Sequence, residues 1–213
     1  MKLNLDNLVF IDLEYNHNTI TEAGIIAGEL ELSFKVSSSN SQGVQYCRDG
    51  TLIISPQVLA QNIYILCKGK TIVHYGGSEV QLITNILRGI NNYNDKGEIT
   101  FLDLQYFVRK STGVPEVPTL TELGQVLGIK EFQAHNALED ARAARDCLIK
   151  IHDNTSYYTP MLREYMYNRT KEAILKPALD RLDKLNKFYP EYDSIKVYQT
   201  HLKPIETCTV FSR

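Results

Sequence analysis

Cysteine is scarce and dispersed in this chain: Cys47, Cys67, Cys147 and Cys208 stand singly, with no CxxC pair and no Cys/His cluster at zinc spacing. That pattern leaves no structural zinc site and reads as free thiols in a reducing, cytoplasmic setting. No stretch of about 20 apolar residues occurs, so no membrane span is expected. The opening MKLNLDNLVF is interrupted by Asn and Asp and lacks the apolar core of a signal peptide. Neither sign of charge dominates, with 23 basic against 25 acidic side chains, so nucleic-acid binding is not announced by net charge. From residue 151 onward basic residues outnumber acidic ones, 10 to 8, against 13 to 17 before it, which makes the tail the relatively basic part. No internal repeat is visible.

What is present begins with VFIDLEYN, residues 9–16. Val9, Phe10, Ile11 and Leu13 suit a pleated, packed strand, yet Asp12 and Glu14 sit among them. Residues two apart in a strand share a face, so both carboxylates project side by side while Leu13 points away. Burying unpaired like charges costs several kcal/mol by order of magnitude. A positive group is therefore expected between them.

Strands alternate with helices along the rest of the chain, the pattern of a layered α/β domain. NHNT reads as a turn, ITEAGIIAGELELSFKVSS as one or two further strands, and SSSNSQG as a loop. Apolar spacing predicts helices over 57–67 and from Ser78 to about Tyr93, with a short strand at 71–75 between them. EITFLDLQYFVRK reads as a second buried strand-like run. Thr119 and Thr121 can cap LTELGQVLG, which Gly128 ends. An amphipathic helix is expected over 136–151. Beyond residue 152 the composition shifts to a Tyr- and Lys-rich stretch, with Thr159 and Pro160 as a helix start and Pro177 as a break or kink. In its second half Leu179, Leu182, Leu185 and Phe188 form an apolar stripe. The expected division is a domain of residues 1–152 and a mostly helical extension of residues 153–213.

A second unusual group lies in HNALEDARAARDC, where His135 stands five residues before Asp140. Asp140 falls inside the predicted helix and His135 ahead of it, so the histidine can lean over a site whose floor includes the carboxylate. Together with Asp12 and Glu14 this is the inventory of a two-metal site. Hard carboxylate oxygens suit Mg²⁺ or Mn²⁺. Histidine, with an ordinary pKa of about 6.5, can take a proton from water at neutral pH.

With these residues in view, the stretch from about residue 7 to 150 resembles the DnaQ-like 3′-to-5′ exonuclease superfamily, in its histidine-bearing DEDDh branch. FIDLE is similar to that family's first motif and HNALEDA to its third, with TLTELGQVLGI resembling the usual lead into the third. The second motif's acid departs from pattern. Glu79 in IVHYGGSEVQLI matches it except that Glu replaces Asp, with His74 where the motif's histidine often lies; Asp103 in ITFLDLQYF is the other candidate. The 56 residues between Glu79 and His135, against 32 from Asp103, favour Glu79.

The resemblance implies a ribonuclease H-like fold, a mixed central sheet with helices on both faces and a helical C-terminal extension. It implies a metal-dependent 3′-to-5′ exonuclease releasing nucleoside monophosphates from a nucleic acid 3′ end. Asp12, Glu14, Glu79 and Asp140 would hold two Mg²⁺ or Mn²⁺ ions, and His135 would act as the base. Tyr15 and Asn16 fall where family members contact the terminal nucleotide. DNA is placed ahead of RNA as substrate. An RNA-trimming exonuclease is the alternative, and a non-cleaving module that binds nucleic acid ends or a polymerase is the reading from another class. Polymerase binding and self-association stay open. For the tail, a stacking and phosphate-binding face built from Tyr157, Tyr158, Tyr165 and Tyr167 with Arg163, Arg169 and Lys171 stands beside plain packing of those tyrosines. His17, His152 and His201 read as surface residues.

Overall fold

The computed structural model describes residues 3–37, 44–46, 52–90, 93, 97–130 and 132–188. Most of the expected SSSNSQG loop, Cys47, Cys208, His201 and the side chains of Leu182, Leu185 and Phe188 lie outside the described residues.

A short 3₁₀ turn at Leu5–Asn7 leads into β1 (Leu8–Asn16). β2 (Thr19–Ala27) and β3 (Leu30–Val36) come after it as an antiparallel meander. The β1–β2 connection is the two residues His17 and Asn18, both with positive φ (47° and 65°), the backbone that a tight hairpin turn demands. Short strands β4 (Val44–Tyr46) and β5 (Leu52–Ile54) lie beyond β3. Helix α1 (Pro56–Cys67) begins at Ser55, whose side chain accepts from Val58 N, with Pro56 in the first turn. Strand β6 (Thr71–His74) and helix α2 (Ser78–Leu87) come next, then β7 (Thr100–Asp103).

The seven strands form one mixed sheet in the order β4-β5-β3-β2-β1-β6-β7. β6 runs parallel to both β1 and β7, while β2 is antiparallel to β1 and β3. This is the expected ribonuclease H-like architecture. Alternation along β1 splits the core in two: Val9, Ile11 and Leu13 pack with Leu59 and Ile63 of α1 and Ile83 of α2. Phe10, facing the other way, packs with residues of the helices that come after β7.

The first of those helices differs from expectation. The run EITFLDLQYFVRK is a strand only as far as Asp103; α3 (Leu104–Thr112) takes over. The Asp103 carboxylate accepts from Gln105 N at 2.8 Å and caps the helix, after which Leu104, Val108 and Thr112 are buried at four-residue spacing. Helix α4 (Leu120–Val126) starts in a reciprocal capping box between Thr119 and Glu122. Gly128, with φ of +63°, lies just past its end as expected.

Helix α5 spans Ala137–Phe188, interrupted only by the non-helical backbone of Asn154. The expected start at Thr159–Pro160 is therefore corrected, and of the break or kink expected at Pro177 the break does not occur: each proline sits inside helical backbone. A proline costs one backbone hydrogen bond but does not forbid helix on its own. Two compact units are found, Met1–Met166 and Tyr167–Arg213. In the first, Ile151, Leu162 and Met166 are buried, and Tyr158 packs against the core. Arg163 donates to the carbonyl of Thr112. In the second, the described residues are helical, and Tyr167, Ile174 and Leu179 are exposed. No helix among the described residues is long and apolar enough to cross a membrane.

Candidate active site

The site lies beyond the carboxyl ends of the parallel strands β1 and β6, the edge at which open α/β sheets present ligand crevices. β1 delivers Asp12 and Glu14 on the face that Phe10 begins. The pairing with β2 shifts register between Glu14 and Tyr15, with Thr21 of β2 as the extra residue, and resumes at Tyr15 and Asn16. Thr21 fastens it by donating to the Glu14 carbonyl.

The start of α5 is locked by three bonds. Asn136 caps it, accepting from Glu139 N at 3.1 Å. Glu22 of β2 accepts from Ala137 N at 3.1 Å, and the Asp140 carboxylate accepts from His135 N at 3.0 Å. That last bond holds His135 at a φ of +64°, a conformation that costs an L-residue energy and clusters at functional sites. The His135 side chain is 90 % exposed, with Nδ1 3.8 Å from Glu14 Oε1.

One carboxylate oxygen from each of Asp12, Glu14 and Asp140 lies within 4.8 Å of the others. Glu79 reaches the same cavity from the first turn of α2, after Gly76, whose φ of +115° only glycine adopts readily. The cavity is open, about 440 Å³, and is lined by Asp12, Glu14, Glu79, His135 and Asp140 together with Tyr15, Tyr75, Thr119 and Thr121. Of the site residues expected from the sequence, Asn16 lies outside its wall. Asp103 also lies elsewhere, paired in register with His74 on β6 and occupied in capping α3.

Crowded carboxyls hold their protons. Burial, then repulsion from Asp140, Glu79 and Glu14, pushes Asp12 up to about 8. Burial raises Asp140 to about 6 despite its bond from His135 N, and burial also raises Glu79. A further sign of an unmet charge is Glu79 Oε2, buried without a hydrogen-bond partner and 3.9 Å from the equally unpartnered His74 Nδ1. Buried polar atoms are nearly always paired. The three hard oxygen donors of Asp12, Glu14 and Asp140, close to one another, fit Mg²⁺ or Mn²⁺, with Glu79 in the same cavity wall but outside that group.

The raised carboxyls make stability depend on pH. A carboxyl whose folded pKa exceeds its unfolded value stabilises the fold below the unfolded pKa, and that stability is lost as pH rises through the folded pKa. In chelator, the melting temperature should therefore fall by roughly 5–10 °C between pH 5 and pH 8, at about 1.4 kcal/mol per pKa unit and 2–4 °C per kcal/mol. Mn²⁺ should restore it at pH 8 and do little at pH 5. A flat metal-free profile across that range would contradict the crowding.

Sequence reasoning missed Glu22 and Gly24 on β2. Gly24 lets α5 approach: a Cβ there would meet Ala137 O at 2.2 Å and Leu138 N at 2.4 Å. A glycine inside a strand pattern was the available signal for such an approach. Arg142 and Arg145, which flank the third motif, are tied to Glu31 of β3. Cys67 and Cys147 are buried free thiols.

Fold and site together define an α/β protein of ribonuclease H-like architecture with an acid-lined cavity at the carboxyl ends of its parallel strands. Among solved structures, the chain is similar to the RNase domain of the yeast Pop2 protein, at 14% identity and a TM-score of 0.48, covering 70% of this chain and 77% of that one. It is also similar to a chain of the structure described as the yeast NOT1 MIF4G domain co-crystallized with CAF1, at 14% identity and a TM-score of 0.46, covering 70% of this chain and 80% of that one. No family model matches the chain, and no curated protein sequence does.

Proposed function

We propose that the chain is a metal-dependent exonuclease that removes nucleotides from a nucleic acid 3′ end. The observation that carries this reading is the convergence of Asp12, Glu14, Glu79, Asp140 and His135, from three separated segments, on one open cavity. Asp12, Glu14, Glu79 and Asp140 would hold Mg²⁺ or Mn²⁺, two ions in all. Bound divalent cations supply Lewis-acid polarisation and charge neutralisation at a phosphate. His135, exposed and carried on the strained turn before α5, takes the proton of the attacking water. Its backbone bond to Asp140 sets where the imidazole starts from. Tyr15, 43% exposed on the cavity rim, offers a ring for the terminal base to stack on.

RNA is proposed ahead of DNA, reversing the order expected from the sequence. No feature of the described site selects deoxyribose, and RNase is the description one structural neighbour bears. The deciding experiment incubates the protein with 5′-labelled RNA and DNA of one sequence, with Mn²⁺, Mg²⁺ or chelator. A metal-dependent ladder shortening from the 3′ end, stronger on RNA, is expected. A gel shift without a ladder would instead favour a non-cleaving end-binding module.

His135→Ala should slow hydrolysis by roughly 10²- to 10⁴-fold, the usual contribution of a general base. Mn²⁺ binding, read by calorimetry on the same sample, should stay near the wild-type value because the side chain projects into solvent. An unchanged rate would remove His135 from the chemistry.

A further inference from the structure

A second cavity, about 400 Å³, opens beside α3 and is lined by Asp103, Gln105, Tyr106, Arg109, Glu116 and neighbouring residues. One hydrogen bond marks the partition between it and the active-site cavity. Tyr75, in the wall of the first, donates to the Pro118 carbonyl; Val117 lines the second cavity and Thr119 the first. The two cavities thus lie to either side of Pro118 in the chain.

Its chemistry is that of a single strand's resting place. Tyr106 is 50% exposed on the side of α3 opposite the face that buries Leu104 and Val108. The Arg109 guanidinium lies 5.7 Å from its ring centroid and Lys110 Nζ 5.4 Å. Both cations are exposed, and neither forms an ion pair among the described residues. Of the two acids in the wall, the Asp103 carboxylate is engaged by Gln105 N, while Glu116 is exposed. An exposed aromatic ring beside cations that no carboxylate neutralises stacks a base and meets a phosphate without regard to sequence.

We propose that this cavity is an upstream nucleotide subsite, in which a base stacks on Tyr106 and its phosphate meets Arg109 and Lys110. The ligand is single-stranded nucleic acid whose 3′ end occupies the acidic cavity, so the inference rests on the nuclease reading for the strand's direction. It adds a determinant of substrate length.

Binding of 5′-labelled single-stranded RNA, followed by fluorescence anisotropy in chelator, tests it apart from cleavage. Tyr106→Ala should weaken binding about 5- to 100-fold, and Tyr106→Phe should stay within about twofold. Arg109→Ala should flatten the slope of log Kd against log salt by about 0.7. With metal present, Tyr106→Ala should raise KM for an eight-nucleotide RNA more than it lowers kcat. Should Tyr106→Ala not fold, Arg109→Glu carries the same binding comparison. Normal cleavage with wild-type binding in both variants overturns the subsite and spares the nuclease. Lost binding in a protein that never cleaves supports the subsite and overturns the nuclease. A wild-type chain that binds no RNA overturns both.

Discussion

Asp12→Asn is expected to abolish hydrolysis while making the metal-free protein more stable. Both effects have one cause. Asp12 sits on β1 at the focus of Asp140, Glu79 and Glu14, and burial together with these neighbours raises it to about 8. At pH 8 the folded chain carries a substantial part of that charge unneutralised, whereas an amide of the same shape carries none. The cost relieved, burial of the charge first and repulsion from its neighbours after it, amounts to a few kcal/mol on a scale of about 1.4 kcal/mol per pKa unit. The melting temperature in chelator should rise by roughly 5 °C or more at pH 8 and much less at pH 5. Activity should fall by at least about 10³-fold, because an amide neither holds a divalent cation as a carboxylate does nor contributes its charge at the phosphate. A variant equally inactive but less stable than wild type at pH 8 would mean that Asp12 is an ordinary packed residue.

Gly24→Ala should be the most damaging single substitution away from the acids. β2 and the first turn of α5 touch backbone to backbone at this residue, and an added Cβ would lie 2.2–2.4 Å from Ala137 O, Ala137 C and Leu138 N. Main-chain atoms cannot rotate aside, so the helix start must move or the strand must bend. Overpacking of this kind typically costs 1–3 kcal/mol and more where nothing can yield. The same shift would part Ala137 N from Glu22 and carry Asp140 away from Asp12 and Glu14. Lower thermal stability with loss of Mn²⁺ binding is expected, measured by melting curves with and without the ion. Near-normal melting and full metal response would show that the approach is looser than these distances.

Several features of the site were legible because short-range periodicity carries them. The two-residue period of a strand puts Asp12 and Glu14 on one face whatever surrounds them, and β1 does so. The cap-and-helix pattern of 136–140 sets His135 ahead of a helix and Asp140 in its first turn. Where two local patterns competed, the sequence misled. Leu102, Leu104, Val108 and Thr112 suit either a strand or a helix face, and the bond from Gln105 N to Asp103 decided for the helix. Pro160 and Pro177 signalled a start and a break, yet helical backbone runs through both.

By itself the sequence determined the strand that bears two carboxylates, the helix that bears a third, and the need for a positive charge near them, since each comes from residue spacing and the cost of unpaired charge. Only the tertiary structure decided that β6 lies beside β1, bringing Glu79 to the cavity, and that β7 lies one strand further out, leaving Asp103 to cap a helix. Strand order is a property of the whole sheet: it depends on which faces bury together across more than a hundred residues, and no local pattern of side chains encodes it.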